Sequence, residues 1–355
     1  MISFEKQLSI VIATFNSSQL LPKVFAALKK QTFPKSKMEV LVMDGGSTDN
    51  TVQLAKSFGA RVINNPRTEP VFAKFLGYNN ARGKFIIYLD HDEIFENTES
   101  LLLKYTILEE EAVKAVIGSG YKNPKNYSFI NEYINEFGDP FSFYMYRLSK
   151  GNGFFLKEMK RRYRIIQDTK DFTIFDLFKT SRVPIIELCA GGSMFNAKYM
   201  KENFPETLKR PELIPHFFYL MNSKKVNIAI TKNDALYHYS SDNVTKYINK
   251  IKWRIKNNIF HVKDMGASGI TGRLHYQPKR DKFKQYFYLL YVFLIIPSVI
   301  DSFYLVITRK KILYFIHFPL TIYTGAAIVY YYFLKLIGIN LALKSYGEAK
   351  VINKL

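Results

Sequence analysis

Cysteine and acidic residues are both scarce in this sequence. Cys189 is the only cysteine among 355 residues, which excludes an internal disulfide and a metal cluster built from cysteines. The 30 acidic residues are outnumbered by 51 lysines and arginines, so the formal net charge is +21. Such a charge requires an anionic partner, and the usual candidates are nucleic acid and an anionic membrane. Hydrophobic residues are 48% of the chain, which excludes extensive disorder.

The first ninety residues alternate strand and helix signals. Short apolar, β-branched runs are typical of buried parallel strands, and amphipathic helical runs lie between them. The predicted elements are strands at 8–13, 40–43, 61–63 and 85–89 and helices at 20–28, 51–58 and 73–81. This order predicts a parallel sheet with right-handed crossovers, which is an α/β nucleotide-binding layer.

Polar residues follow three of these strands. Thr14, Asp44 and Asp90 each lie at or just past the carboxyl end of a predicted strand. Ligands of such sheets bind outside the carboxyl ends of the strands. We therefore expect these three side chains to converge on one edge of the sheet.

Asp90-His91-Asp92 directly follows a predicted buried strand. Two carboxylates at i and i+2 can share one hard divalent cation, which takes oxygen ligands and bridges phosphate oxygens. Alone, this pattern is more often a solvated turn, and its place after the fourth strand is what favours a site. His91 is expected to point away, because residues alternate in direction along an extended chain.

Asp44 is followed by Gly45-Gly46, which lets the backbone approach a ligand closely. A carboxylate at this position suits hydrogen bonds to a nucleobase or a ribose. The alternative is a capping role for the next helix, which Ser47 or Asp49 could serve as well.

These segments resemble the inverting family-2 glycosyltransferases, which have the GT-A fold. The resemblance is carried by residues 9–16, 42–49 and 88–92 in that order. It covers residues 7–118 well and 186–240 loosely. It implies a GT-A-type, Rossmann-like mixed sheet with flanking helices, a nucleotide-sugar donor and a divalent cation, Mg²⁺ or Mn²⁺.

The resemblance also assigns roles to single residues. Thr14, Asn16 and Asp44 would contact the nucleotide, and Lys74 would stand where the family often has an arginine. Asp90 would contact the ribose or share the metal, and Asp92 would bind the metal and act in catalysis. His238 matches a histidine that contributes to the metal site in some members, although a core histidine is an open alternative.

The catalytic base is the weak point of the resemblance. The family usually supplies it from a Glu-Asp pair that opens a helix, and this pair is absent here. Glu212 is the nearest carboxylate, with Glu206 behind it, and Glu212 is the predicted base. An ordinary acid near a helix N-terminus is the alternative. An acceptor that is already an anion, such as a lipid phosphate, needs little or no base.

The C-terminal third changes in character. Residues 241–282 include a basic amphipathic pattern with Trp253, which is typical of a helix lying on a membrane surface; a surface helix of a soluble domain is the alternative. Two apolar runs follow at 286–308 and 312–334, each long enough to span a bilayer. We expect a hydrophobic helical hairpin, although Pro297 and Asp301 leave a re-entrant or interfacial segment open for the first run.

The predicted organisation is therefore a catalytic domain at 1–240, an interface region at 241–282, membrane helices at 283–343 and a tail at 344–355. Within the catalytic domain we expect a nucleotide-binding half at 7–118, an irregular insert at 119–185 and an acceptor-side half at 186–240. The layout is similar to polyprenyl-phosphate glycosyltransferases. It implies a membrane protein with a cytoplasmic catalytic domain, a bilayer with anionic headgroups and a lipid-linked acceptor as partners.

Three functions remain open from the sequence. The first is transfer of a sugar to a polyprenyl phosphate, and the second is transfer to a hydroxyl of a lipid-linked or surface glycan. The third is a non-catalytic membrane-bound protein on a transferase scaffold. Nucleic acid is not expected as a partner, because the apolar C-terminal runs explain the positive charge better.

Overall fold

The computed structural model describes residues 6–261 and 270–344. The predicted tail, apart from Lys344, and residues 262–269 of the predicted interface region lie outside the described residues. The chain divides into two compact units. The first, here called the sheet unit, contains the described residues up to 124 together with 151–180 and 186–239. The second, here called the helical unit, contains residues 125–150, 181–185 and the described residues from 240 onwards.

The strands of the described residues all lie in the sheet unit. They are β1 Lys6–Thr14, β2 Met38–Asp44, β3 Arg61–Asn64, β4 Gly83–Asp90, β5 Glu93–Phe95, β6 Val113–Ile117, β7 Gly120–Lys122, β8 Arg164–Asp168, β9 Phe172–Asp176, β10 Met194–Asn196, β11 Asn227–Thr231 and β12 Ala235–His238. They form a nine-stranded sheet in the order β3-β2-β1-β4-β10-β6-β11-β9-β8 and a three-stranded sheet in the order β5-β12-β7.

Helices connect these strands and make up the helical unit. The sheet unit contains α1 Leu21–Lys29, α2 Thr51–Phe58, α3 Pro70–Asn80, α4 Ser100–Glu110, α7 Phe155–Arg162, α8 Ala197–Asn203 and α9 Phe217–Ser223. The helical unit contains α5 Phe129–Phe137, α6 Pro140–Tyr146, α10 Val244–Phe260, α11 Ile270–Leu274, α12 Lys279–Lys284, α13 Tyr288–Phe293, α14 Ile296–Arg309 and α15 His317–Leu336. Short 3₁₀ segments lie at Lys35–Lys37, Pro205–Leu208, Pro211–His216, Gln285–Phe287 and Ile312–Ile316.

The large sheet is mixed. Strands β1, β2, β3 and β4 pair in parallel, while β10 is antiparallel to both of its neighbours. The four predicted N-terminal strands and the three helices between them are present. The predicted Rossmann-like mixed sheet with flanking helices is therefore confirmed.

Burial explains why these segments adopt these elements. Strand β1 is buried on both faces from Leu8 onwards, as a central parallel strand between helical layers requires. Helix α1 buries Leu21, Val24, Phe25 and Leu28, which is the spacing of one helical face. These four residues and one face of β1, formed by Leu8, Ile10 and Ile12, belong to one apolar core of the sheet unit.

The predicted insert at 119–185 is divided between the two units. Residues 151–180 supply β8 and β9, which lie at one edge of the large sheet. Residues 125–150 and 181–185 group with the C-terminal helices instead. The predicted insert therefore contributes residues to both compact units.

The first apolar run is not one straight helix. The segments on either side of Leu294 and Ile295 are bent by 91°. Ile295 has a φ of 62° and Pro297 lies in the first turn of α14, so the helical backbone cannot continue through this point. The second run, Ile312–Leu336, is continuous, with a mean hydropathy of 1.7 in its best window. Where the sequence predicts a hairpin of two helices, the described residues contain one helix long and apolar enough to cross a bilayer and one bent pair.

Candidate active site

Three strand ends lie side by side at the carboxyl edge of the large sheet. In the register of the parallel pairs, Thr14 lies opposite Asp44, and Ala13 lies opposite Asp90. The Thr14 hydroxyl donates a hydrogen bond to Asp44 Oδ1 at 3.2 Å. The structure thus brings Thr14, Asp44 and Asp90 to one edge.

Asp44 holds the turn that follows β2. Its carboxylate accepts hydrogen bonds from the backbone N–H groups of Gly46 (3.0 Å) and Ser47 (2.9 Å) and from the Ser47 hydroxyl (2.5 Å). With Thr14 these make four hydrogen bonds to a carboxylate that is only 5% exposed. These bonds hold the turn between β2 and α2 and do not cap α2, whose N-cap residue is Asn50. A nucleotide would have to replace one of these donors to reach Asp44.

Asn16 is tied to the same turn. Its side-chain oxygen accepts from the Thr48 N–H at 2.8 Å, and its own N–H donates to Ser47 Oγ at 2.8 Å. Asn16 has a φ of 47°, a conformation that asparagine tolerates better than most residues. Thr14, Asn16 and Asp44, three of the predicted nucleotide-binding residues, are therefore joined through the hydrogen bonds of the turn after β2.

Lys74 on α3 neutralises Asp90. The ammonium lies 2.7 Å from Asp90 Oδ1, and the lysine side chain is 6% exposed. Burial alone would lower the pKa of Lys74, but the Asp90 carboxylate outweighs burial and raises it above the ordinary value. Asp90 therefore faces a permanent positive charge at the edge where a nucleotide would bind.

Asp92, between β4 and β5, lies close to His238, which ends β12 of the three-stranded sheet. Asp92 Oδ2 lies 3.6 Å from His238 Nε2, and each side chain is 15% exposed. The pairing of β12 with β5 fixes this approach, because His238 lies opposite Glu93 in the register. The Tyr239 N–H also donates to the Asp92 carbonyl at 2.9 Å. The His238 ring stacks on Tyr121 with centroids 4.6 Å apart.

Glu93 is a site residue that the sequence analysis missed. It is fully buried and accepts hydrogen bonds from the Tyr121 hydroxyl (2.7 Å), the Gly191 N–H (2.8 Å) and the Asp90 N–H (3.1 Å). Burial, followed by the charges of Asp90 and Asp92, raises the pKa of Glu93 to about 8. Its position directly after Asp92 was the only signal in the sequence, because an acidic residue type gives no indication of burial.

Gly191-Gly192, shortly before β10, lies against Glu93, because the Gly191 N–H donates to its carboxylate. Gly191 has a φ of +67°, and a Cβ there would lie 3.2 Å from the Tyr121 hydroxyl. Glycine is required at this point by both the backbone conformation and the approach of Tyr121. Glu93 thus joins the turn of residues 90–93, Tyr121 and this loop into one buried hydrogen-bonded centre.

Glu212, the predicted base, lies in the 3₁₀ segment Pro211–His216. Its Oε1 accepts a hydrogen bond from Arg210 Nε at 2.7 Å, and the side chain is 33% exposed. Among the described residues, no hydrogen bond or ion pair joins Glu212 to the turn of residues 90–93. Glu206 lies in the preceding 3₁₀ segment, Pro205–Leu208.

The residues that fit a cation are fewer than the sequence predicts. Within residues 6–261 and 270–344, no group of three His, Cys, Asp or Glu side chains could hold a metal ion between them. Asp90 is paired with Lys74, which leaves Asp92 and His238 as the two donors in proximity. A carboxylate and an imidazole are a chemically reasonable pair of ligands, so a cation at this site would need its remaining ligands from the substrate and from water.

Several curated proteins resemble short parts of this chain. Glycosyltransferase AglE of Haloferax volcanii is 32% identical over 90 residues, covering 24% of this chain and 30% of its own length. A Methanococcus voltae enzyme, named dolichyl N-acetyl-α-D-glucosaminyl phosphate 3-β-D-2,3-diacetamido-2,3-dideoxy-β-D-glucuronosyltransferase, is 30% identical over 124 residues, covering 31% of this chain and 38% of its own length. The chain therefore matches less than two fifths of the length of either relative.

Among solved structures, Staphylococcus aureus TarS aligns over 92% of this chain and 54% of its own, with 17% identity and a TM-score of 0.45. The family comparison is more specific, because it covers the strands, turns and loops that build the edge described above. Residues 9–182 match the family described as Glycosyl transferase family 2, and this part of the chain belongs to that family.

Proposed function

We propose that the protein is an inverting glycosyltransferase that moves a sugar from a nucleotide-sugar donor to a membrane lipid acceptor, with polyprenyl phosphate as the acceptor. One observation carries this proposal. Within a family-2 domain, the turn of residues 90–93 lies at the same sheet edge as Thr14 and Asp44, with a buried lysine on Asp90 and a histidine beside Asp92.

The donor nucleotide would lie along this edge. The ordered turn held by Asp44 and Asn16 offers a rigid surface to the base, and Asp90 offers a carboxylate to the ribose hydroxyls. Lys74 supplies a buried positive charge close to the diphosphate. These groups are fixed before the donor binds, so little ordering entropy is lost on binding.

Asp92 and His238 would hold a divalent cation, Mg²⁺ or Mn²⁺. The cation would supply positive charge that stabilises the nucleoside diphosphate as it leaves. The chain's own contribution is to hold Asp92 in place through Tyr239 and through the buried Glu93 centre.

The state of Glu212 supports an anionic acceptor. Its side chain is hydrogen-bonded to Arg210, and the family's Glu-Asp pair is absent. A phosphate oxygen of a polyprenyl phosphate attacks as an anion and requires no proton removal. The second candidate is a hydroxyl acceptor on a lipid-linked glycan, which the name of the Methanococcus voltae relative favours.

Attachment to a membrane, with the catalytic domain on the cytoplasmic side, is part of the proposal. The apolar helix Ile312–Leu336 supports it, as does the net charge of +21. Anionic headgroups attract basic residues by about 1 kcal/mol each.

The test is to incubate membranes that contain the protein with a panel of labelled nucleotide sugars and to extract the lipids. We expect label in a lipid whose headgroup mass is one sugar and one phosphate. Asp92→Asn should abolish the signal, and Asp171→Asn, an exposed carboxylate in the turn between β8 and β9, should leave it unchanged. No transfer from any donor would favour the non-catalytic alternative.

Two further measurements test which acceptor is used and whether a cation is required. Glu212→Gln should retain nearly full turnover if the acceptor is a phosphate, whereas a strong loss, with a headgroup longer by one sugar, would favour a hydroxyl acceptor. Transfer that persists in excess chelator would refute the cation site at Asp92 and His238.

A further inference from the structure

The helical unit exposes a large apolar surface where α13 meets α14. We call it the apolar corner and define it by Phe287, Leu290, Phe293, Ile296, Ile300 and Ile307. Each of these side chains is at least 53% exposed. Large apolar side chains that are exposed together on adjoining elements usually mark an interaction site, so this surface requires an occupant.

The opposite face of α14 is polar and packs inside the unit. Asp301 is 7% exposed, forms a two-point ion pair with Arg147 (2.6 Å for Nη2 to Oδ2) and accepts from the Tyr291 hydroxyl at 2.7 Å. At the end of α14, Arg309 pairs with the buried Glu136 at 2.9 Å. The charge of Asp301 and that of Arg309, which follows the first apolar run, therefore point into protein, and the outward face of α14 is apolar.

Neither helix of the corner is long enough to cross a bilayer. Helix α14 has 14 residues, about 21 Å of helix, against a hydrocarbon thickness of about 30 Å. The bend of 91° prevents the two helices from acting as one rod. A bent pair with one apolar face is the geometry of a segment that lies within one leaflet.

Helix α15 is accompanied along its length by a basic helix. Leu320 near its start shares a buried cluster with Tyr247 and Ile251 of α10. Near its end, the Lys335 ammonium donates to the Ile259 carbonyl at 2.6 Å. If α15 crossed the bilayer, α10 would have to enter the hydrocarbon with it.

Moving α10 into the hydrocarbon is energetically unfavourable. Helix α10 carries the exposed Lys246 and Lys252 on its solvent side, and a charged side chain in the hydrocarbon of a bilayer is strongly unfavourable. The same charges cost nothing if α10 and α15 both stay at the level of the headgroups.

We propose that the helical unit docks on one leaflet of an anionic bilayer through the apolar corner and that the described chain does not cross the membrane. Exposed Lys279 and Arg280 precede the corner and Lys310 follows it, so both ends present positive charge to anionic headgroups. Tyr286 and Tyr304, exposed by 72% and 46%, are residues that favour the membrane–water boundary. A second copy is disfavoured as the occupant because its like charges would face these ones. This proposal rests on the proposed function at a membrane, but its tests measure membrane binding and need neither donor nor acceptor.

The first test is flotation of the full-length protein with phosphatidylcholine vesicles, with and without phosphatidylserine. We expect binding that is strongest with phosphatidylserine and weakens with added salt. Ile300→Glu and Ile307→Glu should each reduce vesicle binding at least tenfold, because each removes apolar area that the bilayer would bury and puts a negative charge against anionic headgroups. Ile166→Glu, on an exposed strand of the sheet unit at 47% exposure, is the matched control and should bind as the wild type does.

The second test asks whether α15 crosses. Single cysteines at Lys310→Cys and Ile339→Cys flank the helix, and the native Cys189 is buried. A membrane-impermeant maleimide applied to the cytoplasmic face should label both positions without permeabilisation. A need for permeabilisation at either position would overturn the proposal, and so would unchanged flotation of both glutamate variants or a corner that proves to be a dimer interface by light scattering. Loss of transfer with intact flotation would instead refute the proposed function and leave the docking surface standing.

Discussion

The buried ion pair between Lys104 and Asp234 allows a quantitative prediction. The Lys104 ammonium lies 2.5 Å from Asp234 Oδ2, and both side chains are 1% exposed. Ser100 and Thr231 complete the cluster, accepting from Lys104 and donating to Asp234, respectively. Asp234 directly precedes β12, the strand that carries His238, so this pair anchors the strand that brings His238 to Asp92.

The perturbation is Lys104→Met, which keeps the length of the side chain and removes its charge. The Asp234 carboxylate would then be buried with the Thr231 hydroxyl as the one side-chain donor on Oδ2, and its Oδ1 already lacks a hydrogen-bond partner among the described residues. Breaking a buried pair by removing one partner costs about 3 to 5 kcal/mol, because the other charge remains without compensation. We expect the free energy of unfolding to fall by this amount.

The assay is urea unfolding of the full chain, followed by far-ultraviolet circular dichroism. Lys84→Met is the matched control, because Lys84 also lies 2.5 Å from a carboxylate, that of Glu109, but at 35% exposure; its cost should be below about 1 kcal/mol. The double variant Lys104→Met/Asp234→Asn should recover much of the loss. Equal costs for Lys104→Met and Lys84→Met would refute the reasoning that burial sets the magnitude.

Two further predictions concern the buried centre. In the wild type without added metal, the free energy of unfolding should decrease as pH rises from the ordinary glutamate pKa of 4.5 towards the raised pKa of about 8. The decrease should reach up to about 1.4 kcal/mol per pH unit, and Glu93→Gln should lack it. Parallel pH profiles of the wild type and the variant would contradict this prediction. Gly191→Ala should lower stability more than Gly59→Ala in thermal melts, because both have positive φ but only the first Cβ meets Tyr121; equal losses would show that the contact is unimportant.

The N-terminal half of the sheet unit could be predicted because its signals are local. Strand β1 is apolar along its length, and α1 shows its buried face at the spacing of a helix. The carboxyl ends of β1, β2 and β4 must then meet at one edge, which places Thr14, Asp44 and Asp90 together. Local patterns fix this edge, so one sequence is enough to find it.

The remainder of the site depends on contacts between distant residues. Glu93 bonds to Gly191, which is 98 positions away, and Lys104 bonds to Asp234 across 130 positions. Nothing in the local pattern around either residue indicates burial. For the apolar run at 286–308 the sequence predicts a helix of a spanning hairpin, with a re-entrant or interfacial segment as the alternative. The partner of Asp301 is Arg147, 154 positions earlier, and such a distant contact leaves no sign in the local pattern.

The acidic residues at 90, 92 and 93 have three different electrostatic roles. Asp90 is neutralised by the buried Lys74 ammonium, and Glu93, with its pKa raised to about 8, is mainly protonated near pH 7. Asp92 faces an imidazole instead of a cationic side chain of fixed charge. Of the three, Asp92 is therefore the carboxylate whose charge is best placed for a cation. In the proposed function, this turn would therefore present one uncompensated negative charge, that of Asp92, to the donor's diphosphate in place of three, which reduces the repulsion that a cation would have to offset.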